Sequence, residues 1–110
     1  MKQSITYNND EDTLELKASI VEPILKLTTR GITIFQFELI RRIFPITYDI
    51  LKEYLFYLID YGIISYDSEK QMFTIEDGGY DILFMLNEEK KIGKTNLNNI
   101  TVTFEDHSNA

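Results

Sequence analysis

Cysteine is absent from the 110-residue chain, histidine occurs once, and cations are outnumbered, with 11 Lys+Arg against 18 Asp+Glu. The lack of cysteine excludes disulfide scaffolds, thiolate zinc sites and cysteine nucleophiles, and makes a cytosolic address the plain expectation. The shortage of cations leaves a net charge of −7. That excludes the uniformly basic surface of a nonspecific nucleic-acid or membrane binder, so any DNA contact must come from a local patch. Long apolar runs are missing too. The start, Met1-Lys2-Gln3-Ser4-Ile5-Thr6-Tyr7, has no apolar signal core, and nothing approaches the length of a bilayer span, so a soluble, unprocessed protein is expected. Glycines are few, and Gly78-Gly79 lacks the following Lys-Ser/Thr of a phosphate loop. His107, with Glu105 and Asp106, is at most an adventitious metal ligand. No cofactor is expected, and no catalytic constellation emerges, because neighbouring acids such as Glu88-Glu89 point in different directions on a helix. What is present, 44% hydrophobic and 26% charged residues, is the profile of one folded domain.

Residues 1–12 end in the acidic run Asn8-Asn9-Asp10-Glu11-Asp12 and read as a mobile arm or an extended lead-in. From 14 to 27, Leu14, Leu16, Ile20, Val21, Ile24, Leu25 and Leu27 recur at mostly helical spacing, which predicts a first helix with a kink or restart at Pro23. Gly31 supplies a left-handed stop, and Thr33-Ile34-Phe35-Gln36 is a capping box that opens a second helix ending near Phe44, before Pro45. Thr47 caps a third helix, 48 to about 61, with Leu51, Tyr54, Leu55, Leu58 and Ile59 as its buried stripe and Gly62 as its stop. Two β-type runs around Ser68-Glu69-Lys70-Gln71 predict a hairpin. A last helix capped by Glu76 or Asp77 runs to about Lys91 and closes a domain over 13–91. In the tail, 92–110, the alternating Ile100-Thr101-Val102-Thr103-Phe104 has the period of a half-buried strand. Such a strand should pair with the Ile5/Tyr7 segment or, as the preferred arrangement, with its counterpart in a second chain.

Three helices, a hairpin and a helix form the succession of a winged helix-turn-helix, an α+β, mainly α fold. The residues carry a resemblance as well. Ile20 to Leu25 and Gly31-Ile32-Thr33 are followed by Tyr48-x-x-Leu51-Lys52-Glu53-Tyr54-Leu55-x-x-Leu58-Ile59-x-x-Gly62-Ile63-Ile64-x-Tyr66 and by Phe73-x-Ile75-x-x-x-Gly79. Over roughly 14–90 the chain resembles small archaeal winged-helix regulators of the ArnR-like kind. The resemblance implies a cytoplasmic transcription factor, often dimeric, which presents the third helix to the major groove and has no cofactor or catalytic role.

The face of the third helix opposite its leucine stripe carries Asp49, Lys52, Glu53, Phe56, Tyr57 and Asp60. Arg41 and Arg42 could clamp phosphate or compensate the end of the second helix. Thr47 and Tyr48 could meet DNA, or serve only as a cap and a packing group. Together with Lys70 at the tip of the wing, Arg41, Arg42, Thr47, Tyr48, Asp49, Lys52, Glu53 and Phe56 form the candidate DNA-binding set. The helix face has one Lys against three acids, and the wing sets Asp67 and Glu69 against Lys70, a balance that opposes phosphate unless Arg41, Arg42 and Lys52 converge. Phe56 and Tyr57 support a rival reading: two adjacent exposed aromatics favour a protein partner, unless the tail buries them.

Overall fold

The computed structural model describes residues 2–6, 13–41, 46–92 and 97–105. The sequence-stretch readings at Asp10-Glu11-Asp12, Arg42, Phe44, Pro45 and His107 lie outside the described residues. Within them the chain is a small α+β domain with four helices and two three-stranded antiparallel sheets. The elements are β1 (Lys2–Thr6), β2 (Thr13–Lys17), α1 (Ala18–Thr28), β3 (Ile32–Thr33), α2 (Ile34–Ile40), α3 (Tyr48–Asp60), β4 (Ile64–Asp67), β5 (Met72–Ile75), α4 (Asp77–Ile92), a 3-10 turn (Leu97–Asn99) and β6 (Thr101–Glu105).

The first helix starts later than the apolar spacing predicts. Leu14 and Leu16 belong to β2, where strict alternation with Glu15 places them opposite Phe104 and Val102 of β6. A strand partner from the far end of the chain outweighs a locally plausible helical stripe. α1 then begins at Ala18, whose N–H donates to the Ile100 carbonyl at 2.9 Å, so a backbone group from the tail satisfies one of the helix's orphan donors. The helix runs on through Pro23 rather than restarting there. One missing hydrogen bond is tolerated because this helix is anchored along its length by Ile20, Val21, Ile24 and Leu25, all buried.

The two chain ends also differ from expectation. Residues 2–6, read as part of a mobile arm or an extended lead-in, form an edge strand, and the tail strand β6 lies in the middle of the sheet order β1-β6-β2. Pairing with the Ile5 segment is therefore the arrangement adopted. The preferred alternative, tail to tail across two chains, is corrected: both hydrogen-bonding edges of β6 are taken within one chain. Val102 and Phe104 are fully buried, with the Phe104 ring 5.1 Å from that of Tyr61, so the tail joins the core formed by α1, α3 and α4.

The middle of the chain follows its local signals. Gly31 has φ 79°, and the Thr33–Gln36 box closes with both reciprocal bonds, at 3.0 and 3.1 Å. Gly62, at φ 74°, ends α3. β4 and β5 form the hairpin, and β3 adds a third strand through Ile32 opposite Phe73 and Thr33 opposite Met72. α4 packs on α1, where Lys90 meets the nearly buried Glu22 carboxylate at 2.6 Å. That hydrogen bond holds the Lys90 ammonium above the ordinary lysine value; partial burial opposes the shift and the Glu22 charge adds to it.

Candidate nucleic-acid interface

α3 is fixed to the core by one side and open on the other. Leu51, Leu55 and Leu58 are buried, while Asp49, Lys52, Glu53, Phe56 and Asp60 are exposed, as 100° of rotation per residue requires. Two residues assigned to the buried stripe depart from it. Ile59 is 37% exposed, and Tyr54 is half-buried, its hydroxyl accepting the Lys17 backbone N–H at 3.0 Å. Burial pushes the Tyr54 phenol up, and the Lys17 N–H partly offsets the shift.

Thr47 caps α3, its hydroxyl accepting the Ile50 N–H at 3.2 Å. Tyr48 follows as a half-buried hub. Its hydroxyl donates to the Glu38 carboxylate on α2 at 3.3 Å, and the Lys52 ammonium lies 5.0 Å from its ring centroid, within cation-π range. Desolvation raises the Tyr48 pKa, the Glu38 charge and hydrogen bond raise it further, and Arg41 opposes them. Lys52 thus lies against the Tyr48 ring, and the Arg41 charge acts on the same phenol. Arg42 lies outside the described residues.

On the hairpin, Asp67 Oδ1 accepts the backbone N–H groups of Glu69 and Lys70 at 2.9 and 3.2 Å. This side-chain turn, with Gln71 in the left-handed region at φ 54°, sets the shape of the tip that carries the exposed Lys70. The base of the hairpin is tied by Ser65, whose hydroxyl donates to Glu76 Oε2 at 2.6 Å and pairs with Thr74 at 3.1 Å.

Phe56 is 65% exposed, so the tail does not cover it, whereas Tyr57 is half-buried and meets the Phe56 ring edge-on at 6.0 Å. Beside them runs an apolar groove of about 230 Å³, lined by Ile34, Lys52, Leu55, Phe56, Ile59 and Phe73. Sequence reasoning did not single out Glu38, nor the exposed Phe35 and Leu39 of α2. The last two could have been found from their spacing of four, which separates them from the buried Phe37. Among the described residues no group of three or more His, Cys, Asp or Glu could hold a metal, and no helix is long and apolar enough to cross a membrane. No protein-family model matches the chain, and neither a curated protein nor a solved structure matches it.

Proposed function

We propose that this protein is a cytoplasmic winged-helix transcriptional regulator that reads duplex DNA through α3 and the β4–β5 wing, acting as a homodimer. The observation that carries the reading is α3 itself. Its polar N-terminal half lies open to solvent just after α2, and it is followed by a hairpin that β3 extends to a three-stranded sheet. This order of elements suits a helix laid in the major groove with a wing beside it. In this reading Arg41, Arg42, Lys52 and Lys70 meet phosphates and set the register. Thr47, Tyr48, Asp49 and Glu53 reach base edges, where a carboxylate accepts from a cytosine amino group, and Phe56 covers a thymine methyl.

The test is an electrophoretic shift titration against a duplex from the protein's own promoter at two salt concentrations. Replacing Arg41, Lys52 or Lys70 by Gln should weaken binding on every sequence and flatten the salt slope by about one unit per lost contact. With so few cations, the whole slope should be shallow. A variant neutralised at Arg41, Arg42, Lys52 and Lys70 together that binds as tightly as the wild type would contradict the docking surface.

The exposure of Phe56 and Ile59 at the mouth of an apolar groove favours a second reading, a winged-helix module that binds a protein instead of DNA. The acidic sum of Asp49, Lys52, Glu53 and Asp60 agrees with it. Phe56→Ala separates the two readings. At 65% exposure the truncation should leave the melting temperature nearly unchanged, so any loss it causes is a loss of binding, to duplex under the first reading and to protein under the second.

A further inference from the structure

The outward face of α4 carries two exposed aromatic side chains. Tyr80 and Phe84, one helical turn apart, are 52% and 65% exposed. The opposite side of the same helix is buried through Ile82 and Leu86, with Gly79 against the core. At 100° per residue, the side chains turned away from the core are Asp77, Tyr80, Asp81, Phe84, Asn87, Glu88 and Lys91. Exposure agrees: all are exposed except Glu88, which is half-exposed. The flanks of the stripe are Leu83 and Met85, both half-buried and apolar.

This stripe is complementary to itself when reversed. An antiparallel copy placed on a two-fold axis through Phe84 sets Phe84 against Phe84, Tyr80 against Glu88, Asp81 against Asn87 and Asp77 against Lys91. Leu83 falls against Met85 at the margins. Every polar position meets a partner it can bond: phenol to carboxylate, carboxylate to amide, carboxylate to ammonium. No like charges are opposed. Among the described residues no cation pairs with Asp77, and Lys91 pairs with the half-exposed Glu88 of its own helix at 3.4 Å. A closed two-fold contact requires this property of a surface, that residue i meets residue j while j meets i.

We infer that the occupant of this face is a second copy of the chain, with the two α4 helices packed antiparallel about Phe84. The inference deepens the proposed homodimer by naming its surface, and it does not depend on DNA being the ligand. It also replaces the tail-to-tail pairing that the filled edges of β6 rule out. None of the α4 positions paired in this way belongs to the candidate DNA-binding set of Arg41, Arg42, Thr47, Tyr48, Asp49, Lys52, Glu53, Phe56 and Lys70.

Sedimentation velocity on the full chain, from about 5 to about 500 µM at low salt, tests it. The wild type should rise with concentration toward twice the 12.9 kDa of one chain. Phe84→Glu should remain at one chain's mass throughout. Asp77→Lys places ammonium against ammonium at both symmetry-related contacts and should weaken association by about tenfold or more, and Lys91→Asp should do the same with carboxylates. The double variant D77K/K91D should recover most of the lost affinity. It carries the unfavourable helix-end charges of both single changes, so recovery cannot come from better folding. A wild type that stays at one chain's mass overturns the inference, leaving the face to another partner or to water. A Phe84→Glu protein that still dimerises, or a double variant no better than the singles, overturns it as well. A monomer that binds duplex would refute this surface and leave the DNA reading standing, while a dimer indifferent to duplex would do the reverse.

Discussion

Phe104→Ala should destabilise the fold by about 3–5 kcal/mol, the cost of removing a fully buried phenyl ring and leaving a cavity. The residue belongs to the alternating run of the tail that reads as a half-buried strand, and its ring is fully buried, tilted against that of Tyr61 at 5.1 Å. The strand that carries it also bonds β1 on one edge and β2 on the other, so loosening it releases the whole sheet. Against the roughly 5–15 kcal/mol that holds a domain together, such a loss takes a large share. Urea unfolding followed by circular dichroism measures it, with Phe56→Ala as the comparison. The ring at 56 is 65% exposed, and its truncation should stay within about 0.5 kcal/mol of the wild type. A Phe104→Ala protein that loses less than about 1 kcal/mol would mean that the strand is not part of the core.

Gly79→Ala should also destabilise, by about 1–3 kcal/mol, against the usual sign of this substitution. Inside a helix, alanine is ordinarily favoured over glycine by roughly 1 kcal/mol. Here a Cβ would stand 2.4 Å from Ile75 Cγ1 and 2.7 Å from the Ile63 carbonyl oxygen. The isoleucine side chain can turn away, but the carbonyl cannot, because it already accepts the Glu76 N–H at 2.9 Å. Steric cost therefore exceeds propensity. Thermal unfolding of Gly79→Ala beside Gly78→Ala, half-buried on the same turn, isolates the contact: the second change should be tolerated, and equal melting of the two variants would contradict the close approach.

What the sequence makes legible follows from the range of the interactions involved. The Thr33–Gln36 box, the Thr47 cap, the Gly31 and Gly62 stops and the hairpin are settled within a few residues, and each appears where its local chemistry places it. The fate of Leu14 and Leu16 is not local. Their alternation suits a strand and their spacing to Ile20 suits a helix, and the choice falls to β6, which arrives from the other end of the chain. The same long-range pairing decides between the mobile arm and the extended lead-in read for the N-terminal segment and makes residues 2–6 an edge strand. The candidate interface divides in the same way. Rotation along one helix exposes Lys52, Glu53 and Phe56 to a reader of the sequence alone, whereas the Glu38 carboxylate that holds the Tyr48 hydroxyl comes from a different helix and has no sequence signature.

A nitrogen-15 chemical-shift titration of the labelled chain with an own-promoter duplex of about 20 base pairs locates any DNA contact residue by residue. The proposed mode of binding predicts perturbations concentrated at Arg41, along 47–57 and at the hairpin tip 67–71, fading as salt is raised from about 50 to about 200 mM. Spectra unchanged by duplex at low salt, or perturbations confined to α1 and the β1-β6-β2 sheet, would contradict it.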